Sequence, residues 1–288
     1  MSSLREIYLN VKKALGEAEI ENAALEARRL ISYVAQIEED VFITNPDEII
    51  ASGVQAQIYE GVQKRVAGEP LSKIMGQQEF WGLNFKVTEH TLDPRADTET
   101  LIEAVLEYCQ KNDLREKPLK ILDLGTGTGC ILIALLHELP NAYGVAVDYS
   151  IEAAKVAVSN GELNAVNERF SVMNGNWASA VDLTHFDIIV SNPPYIRDDV
   201  ILELTDEVKN HDPYLALSGG QDGLDAYKKI IHTLKNEKKL KAHVFFEIGF
   251  DQHEQLVRLV DDSNLWVCDS KRDLSGNPRV VEICRGDK

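Results

Sequence analysis

Apolar residues recur at three- and four-residue intervals early in the chain, first as Leu4, Ile7, Tyr8, Val11 and Leu15, then as Leu25, Leu30, Tyr33 and Val34. That is helical periodicity, and it predicts a helical bundle over residues 1–75. Within it, Asn45-Pro46-Asp47-Glu48 reads as a helix start: a capping residue, proline in the first turn, then acids that complement the dipole. Residues 78–88 change texture. Phe80, Trp81, Leu83, Phe85 and Val87 around Gly82 and Asn84 predict two short strands and a tight turn, a β-hairpin linker occupying residues 76–95. After a helix over 97–109, strands and helices alternate. Strands are expected at 120–124, 143–147, 170–173, 186–191 and 243–248 and near Trp266 and Val280, with helices at 130–138, 151–160, 224–234 and 252–259. Such alternation means a mostly parallel sheet covered on both faces, so residues 96–288 read as one α/β domain.

The 288 residues carry 30 basic and 47 acidic side chains, a net charge of −17. This field repels polyphosphate, and Lys12-Lys13, Arg28-Arg29 and Lys64-Arg65 are isolated pairs on helical patterns, so direct nucleic-acid binding is not expected. Cys109, Cys130, Cys268 and Cys284 are far apart, with no C-x-x-C pair and no clustered histidines to complete a zinc site. That pattern points to a reducing compartment and to no metal. The longest apolar run, residues 130–136, is far short of the ~20 residues that span a bilayer. A cytoplasmic protein without a membrane partner is the expectation, with a monomer as default.

Two turns carry candidate chemistry. Gly125-Thr126-Gly127-Thr128-Gly129 joins the strand at 120–124 to the helix at 130–138, where a doubly wound sheet offers backbone and a helix N-terminus to a ligand. The spacing is G-x-G-x-G rather than G-x-G-x-x-G, which favours a nucleoside ligand other than a dinucleotide. Asp148 ends the next strand, positioned either to accept from both ribose hydroxyls or to cap the following helix. Asn192-Pro193-Pro194-Tyr195 follows the apolar strand Asp187-Ile188-Ile189-Val190 at its C-terminal end. Its prolines stiffen the backbone and remove two N–H donors. The Asn192 side-chain oxygen and the Pro193 carbonyl can then take the two hydrogens of a planar NH2 group, with Tyr195 covering its flat system.

These motifs resemble those of the class I S-adenosylmethionine-dependent methyltransferases that modify a conjugated NH2 nitrogen. Further motifs are similar to the HemK/PrmC protein-glutamine methyltransferases: Glu69-Pro70-Leu71-Ser72-Lys73-Ile74, Glu79-Phe80-Trp81-Gly82-Leu83, Leu92-Asp93-Pro94-Arg95, residues 216–225, Glu247-Ile248-Gly249 and Asp273-Leu274-Ser275-Gly276-Asn277-Pro278-Arg279. The resemblance implies a Rossmann-like, mostly parallel seven-stranded sheet behind a small N-terminal helical domain that binds the release factor. It also implies methylation, from S-adenosylmethionine to give S-adenosylhomocysteine, of the glutamine in the Gly-Gly-Gln motif of class I peptide-chain release factors. By the same resemblance Gly125 through Gly129 flank the methionine and ribose portions of the cofactor, Asp148 the ribose and Trp177 the adenine, while Asn192 to Tyr195 hold the glutamine. Asp93 and Ala96 depart from the family's Ile-Pro-Arg-Pro, and Asp212-Pro213 from its commoner Glu-Pro.

An adenine-N6 DNA or RNA methyltransferase is the rival enzyme, because an exocyclic adenine amine offers the same two hydrogens. A non-catalytic module that keeps the fold as an assembly surface is the rival from another class. Gly219-Gly220-Gln221 reads as a loop glycine pair rather than a target for automethylation, and His211 as a solvated or capping histidine rather than a base. Arg95 suits either a contact to cofactor or partner, or a salt bridge to nearby acids.

Overall fold

The structure is a computed structural model that describes residues 2–179, 181–263 and 265–285. It divides into two compact units, Met1–Gly76 with Asp206–His211, and Gln77–Thr205 with Asp212–Lys288. No helix among the described residues is long and apolar enough to cross a membrane.

The smaller unit is built from α1 (Leu4–Glu17), α2 (Ala23–Ala35), α3 (Val41–Thr44), α4 (Ser52–Val66) and α5 (Leu71–Met75). One face of α1 buries Leu4, Ile7, Val11 and Leu15 against Ala27, Leu30 and Ile31 of α2 and Ile58 and Val62 of α4. Close approach of α4 to α2 depends on Gly61, where a Cβ would lie 2.9 Å from Leu30 Cδ1. Ser3 and Glu6 form a capping box at the start of α1. The segment Asn45-Pro46-Asp47-Glu48 is not a helix start, and α4 begins only at Ser52. Its backbone instead satisfies α1, with the Leu4 and Arg5 amides donating to the Glu48 and Pro46 carbonyls at 2.8 Å each. These are two of the donors that a helix N-terminus leaves open. Buried Arg65 donates to both carboxylate oxygens of Glu26, at 2.7 and 3.2 Å, and to Glu207 at 3.0 Å, which ties α4 to α2 and to the helix Asp206–His211.

The larger unit opens with the hairpin β1 (Gln77–Phe80) and β2 (Leu83–Lys86). Its turn residues Trp81 and Gly82 both have positive φ, of 53° and 68°, while Asn84 lies within β2. After a 3₁₀ turn at Ala96–Thr98 come α6 (Glu99–Lys111), β3 (Lys120–Leu124), α7 (Cys130–Glu138), β4 (Tyr143–Asp148), α8 (Ile151–Leu163), β5 (Phe170–Asn174) and β6 (Ile188–Ser191). Short helices α9 (Asp198–Ile201), α10 (Asp206–His211, grouped with the smaller unit) and α11 (Tyr214–Leu217) lead to α12 (Asp225–Asn236), β7 (His243–Glu247), α13 (His253–Asp261), β8 (Trp266–Arg272) and β9 (Pro278–Cys284).

The seven-stranded sheet has the order β5-β4-β3-β6-β7-β9-β8. It is parallel through β7 and antiparallel at β9 and β8. One face packs Leu101, Ile102 and Val105 of α6 and the whole apolar body of α7 on Ile121, Val190 and Phe245; the other packs Tyr227, Ile230 and Leu234 of α12 and Leu256 and Val260 of α13 on Leu122, Ile189 and Phe246. The linear spacing of the cysteines hides one pairing, because Trp266 stands opposite Cys284 across β8 and β9 and a disulfide joins Cys268 to Cys284. Cys109 and Cys130 are buried free thiols.

Fully buried Asn160 of α8 fastens the hairpin to the glycine-rich turn. Its Oδ1 accepts from the Lys86 amide at 2.7 Å, and its Nδ2 donates to the carbonyls of Lys86 at 3.0 Å and Thr128 at 2.9 Å. Deleting this amide strands buried backbone groups, each at about 1–3 kcal/mol. Asn160→Ala is therefore expected to destabilise the protein by about 3 kcal/mol. Urea denaturation against the wild type measures this, and a loss under about 1 kcal/mol would contradict the clamp.

Candidate active site

Because β3 pairs in parallel with both β4 and β6, the chain segments after all three strands emerge at one sheet edge. The order reverses direction there: the chain steps from β3 to β4 and β5 on one side, then returns to β6 on the other. Such a switch point opens a crevice beyond the strand ends. A cavity of ≈ 810 Å³ occupies it, within the range of small-molecule sites.

The glycine-rich turn forms one wall. Gly125, Gly127 and Gly129 have φ of 77°, 56° and 83°, left-handed values that side-chain-bearing residues rarely adopt. A Cβ at Gly125 would lie 3.0 Å from Trp177 Cζ3, so the indole rests directly on bare backbone. Gly125 to Thr128, Asp148 and Trp177 line the cavity, but Gly129 does not. A Cβ there would instead meet Ile133, Ala157 and Phe170 at 3.1–3.3 Å, so this glycine serves the start of α7 and its packing. Asp148 accepts from the Gly127 amide on Oδ2 and from the Ser150 amide on Oδ1, both at 2.8 Å. It thus braces the turn, while Ser150 provides the α8 cap by accepting from Ala153. Burial lifts the Asp148 carboxyl above its ordinary range, opposed by these N–H groups.

Below the turn, fully buried Asp123 accepts from the Thr126 hydroxyl at 2.6 Å on Oδ2, and its Oδ1 has no partner. Burial pushes its pKa up to about 7.

The Asn-Pro-Pro-Tyr turn supplies the opposite wall through Asn192 and Pro194. Asn192 Nδ2 donates to Thr98 Oγ1 at 3.3 Å, close to the carboxyl of buried Glu247 at the end of β7, whose Oε2 has no hydrogen-bond partner. Neither Pro193 nor Tyr195 is among the lining residues. The Tyr195 ring packs on the core beneath the sheet, where burial raises its pKa to about 12, and the Tyr195 carbonyl accepts from Gln252 Nε2 at 3.0 Å. Gln252 also donates to the Gly223 carbonyl at 3.1 Å and accepts from the Gly249 amide at 2.9 Å, which locks three loops together. Sequence reading singles out neither Gln252 nor Glu247 for a role. Glu247 stands in a quoted motif, but nothing linear pairs it with Asn192.

The remaining candidates fall as follows. Arg95 lines the cavity and donates to the nearly buried Asp212 carboxylate at 2.8 Å, the salt bridge to a nearby acid. His211 ends α10 and is not among the lining residues. Gly219 and Gly220 make a tight loop in which a Cβ on Gly219 would lie 2.7 Å from the Gly223 carbonyl oxygen.

A glycine-rich turn after β3, an acid ending β4, an Asn-Pro-Pro-Tyr turn after β6 and an antiparallel terminal pair on a parallel sheet together define a class I methyltransferase. Residues 98–215 match the Methyltransferase small domain family, and residues 6–76 match the PrmC N-terminal domain. The release factor glutamine methyltransferase of Agrobacterium fabrum is 37% identical over 95% of this chain and 94% of its own. That of Bradyrhizobium diazoefficiens is 37% identical over 93% and 90%. The chain belongs to the release factor glutamine methyltransferase family. Among solved structures, the hMettl16 catalytic domain in complex with a MAT2A 3′UTR hairpin shares the fold, with TM-score 0.61 at 15% identity over 90% of this chain and 93% of its own.

Glu247 gives a pH signature. Burial pushes its pKa from 4.5 up to about 7, against the opposing effects of Thr98, Arg279 and Asn192. Between those values the native state holds a proton that the unfolded chain has released. Its contribution to stability is therefore complete below about 4.5 and lost as pH rises through about 7. Glu247→Gln stays neutral throughout, so its stability relative to wild type is expected to climb between pH 5 and pH 8. Urea midpoints across that range read the effect, and parallel profiles would refute it.

Proposed function

We propose that this chain methylates the side-chain amide nitrogen of the glutamine in the Gly-Gly-Gln motif of class I peptide-chain release factors, with S-adenosylmethionine as donor. The observation that carries this reading is the polarity of Asn192. Its Nδ2 is committed to Thr98 Oγ1 at 3.3 Å, which leaves Oδ1 as an acceptor at the cavity wall. Asn192 Oδ1 and the Pro193 carbonyl accept the two amide hydrogens, hold the group planar to the turn and return electron density to a nitrogen whose lone pair is otherwise delocalised. Tyr195, whose ring is partly buried, keeps the turn in place through its packing and its carbonyl bond to Gln252.

The opposite wall fits the donor: bare glycine backbone under Trp177 and the Asp148 carboxylate for ribose hydroxyls. When bound there, S-adenosylmethionine would supply an electrophilic sulfonium methyl group and, as leaving group, a thioether sulfur that takes back the carbon–sulfur bonding pair. Holding two reactants in near-attack geometry is worth roughly 7–11 kcal/mol, the largest contribution here. The methylated nitrogen is strongly acidic and releases its proton to water, so no dedicated base is assigned. The smaller unit, matching the PrmC N-terminal domain, is the candidate release-factor-binding element. The reading takes the enzyme to act as a cytoplasmic monomer on protein, without contact to nucleic acid.

The test is methyl transfer from labelled donor to a purified class I release factor, beside its Gln→Ala variant in Gly-Gly-Gln and duplex DNA. Label on the wild-type factor alone is expected; label on DNA, or on neither despite donor binding, would overturn the reading. Asn192→Ala is expected to lower kcat by about 10²–10³-fold while donor Kd moves only a few-fold. Asp148→Ala is expected to do the reverse, weakening donor binding about 10–100-fold by calorimetry.

A further inference from the structure

At the far end of the sheet from the glycine-rich turn, three metal-ligating side chains on three strands converge, and a fourth, Cys284, is bonded to one of them. Phe245 stands opposite Glu282 and Val244 opposite Ile283, so the two-residue alternation of strands puts His243 on the same face as Glu282 and Cys284. Trp266 stands opposite Cys284, and a register shift between Val267 and Asp269 brings Cys268 to that face. His243 Nδ1, Cys268 Sγ and a Glu282 carboxylate oxygen all lie within 4.8 Å of one another, and Cys284 Sγ is bonded to Cys268.

We propose that, with the disulfide reduced, Cys268, Cys284, His243 and Glu282 bind one zinc ion that cross-links β7, β8 and β9. Two thiolates, an imidazole and a carboxylate form a borderline-soft donor set that suits zinc and not magnesium or calcium. Tetrahedral zinc with ligand bonds of about 2.0–2.3 Å needs donor atoms roughly 3.3–3.8 Å apart. The trio is already within a side-chain adjustment of that spacing, since His243 and Glu282 need only open from their 2.6 Å contact. The Cys268 and Cys284 Cα atoms are 6.1 Å apart, a separation that serves either a disulfide or two ligands of one ion.

The surroundings favour a built site. Tyr108 stacks on the His243 ring with centroids 4.3 Å apart, and Glu282 is only 14% exposed. Lys271 holds β8 to α6 through Glu103 at 3.0 Å and Glu107 at 2.5 Å. Cys268 is exposed and provides the way in. The exchange balances: a small thiol reductant supplies two electrons and two protons to the disulfide, becoming a disulfide itself, and zinc then displaces the two thiol protons as the sulfurs coordinate.

The full-length protein is purified under thiol reductant with micromolar zinc, desalted and analysed for metal by mass spectrometry, then reloaded with cobalt for absorption spectroscopy. One zinc per chain is expected, with a thiolate-to-cobalt charge-transfer band and visible bands of tetrahedral intensity. Protein oxidised to the disulfide is expected to bind neither ion. Cys268→Ser with Cys284→Ser is expected to weaken zinc binding by more than about 100-fold, beyond what loss of an outer-shell partner costs. Glu282→Gln leaves the cysteines intact and is expected to weaken zinc without removing the charge-transfer band. Circular dichroism confirms that each variant is folded. Substoichiometric zinc in the reduced wild type, a cobalt spectrum without thiolate bands, or unchanged zinc affinity in the folded double variant would each overturn the proposal.

Discussion

Parallel pairing of β3 with both β4 and β6 is the constraint on which the site depends. A parallel ladder sends every strand end to the same edge, so three turns separated along the chain arrive together without any contact being made for that purpose. The glycine-rich turn, Asp148 and Asn192 meet around one cavity because they are the first residues beyond, or the last within, those three strands. A register slip of one residue on β6 would reverse every side chain in Ile188–Ser191 and carry Asn192 away from Thr98.

Strand ends only deliver backbone; buried polar side chains then fix it. Asn160 spends its amide on the hairpin and the Thr128 carbonyl, and Gln252 spends its own on Tyr195, Gly223 and Gly249. Each satisfies backbone groups that no ladder reaches, and an unsatisfied buried group is costly enough that the loop has one acceptable conformation. Beneath Asn192, Arg279 pairs with Asp273 and Asp97 and donates to the Ile248 carbonyl, so Glu247 sits beside positive charge while burial still holds its pKa up at about 7. Orientation of the Asn192 amide depends on the Thr98 hydroxyl, which is distant from it in sequence.

Much of this was readable in the linear chain, for identifiable reasons. Strands β3 and β4 and helix α7 are bounded by turn residues and filled by apolar runs, and their predicted limits agree with the structure to within a residue. The glycine and proline turns were readable because each needs residue types that little else in a chain requires. Asn45 to Glu48 misled because capping chemistry looks alike whether a segment starts its own helix or supplies acceptors to another, as it does for α1. Tyr195 reads from its place in the motif as a cover for the ligand, and in the structure its partly buried ring packs against the core cluster. Asn160, Gln252 and the grouping of His243, Cys268 and Glu282 left no linear signal, since their partners are brought together only by sheet order.

The shared fold with an RNA-bound catalytic domain at TM-score 0.61 sharpens what decides the substrate. An acceptor pair at a strand end is indifferent to whether its NH2 group belongs to an amide or to adenine, since both are planar with two hydrogens in one plane. Discrimination therefore lies outside the turn. A duplex or hairpin substrate carries phosphates at every step and needs cationic side chains to replace their counterions. This chain carries −17 overall, and Arg95, one of the cationic residues at the cavity, is already committed to Asp212. A flipped adenine would have to be held without its backbone, whereas a glutamine on a protein loop brings no such charge. For an acceptor pair of this kind, it is the cost of desolvating and neutralising the rest of the substrate that separates the two chemistries.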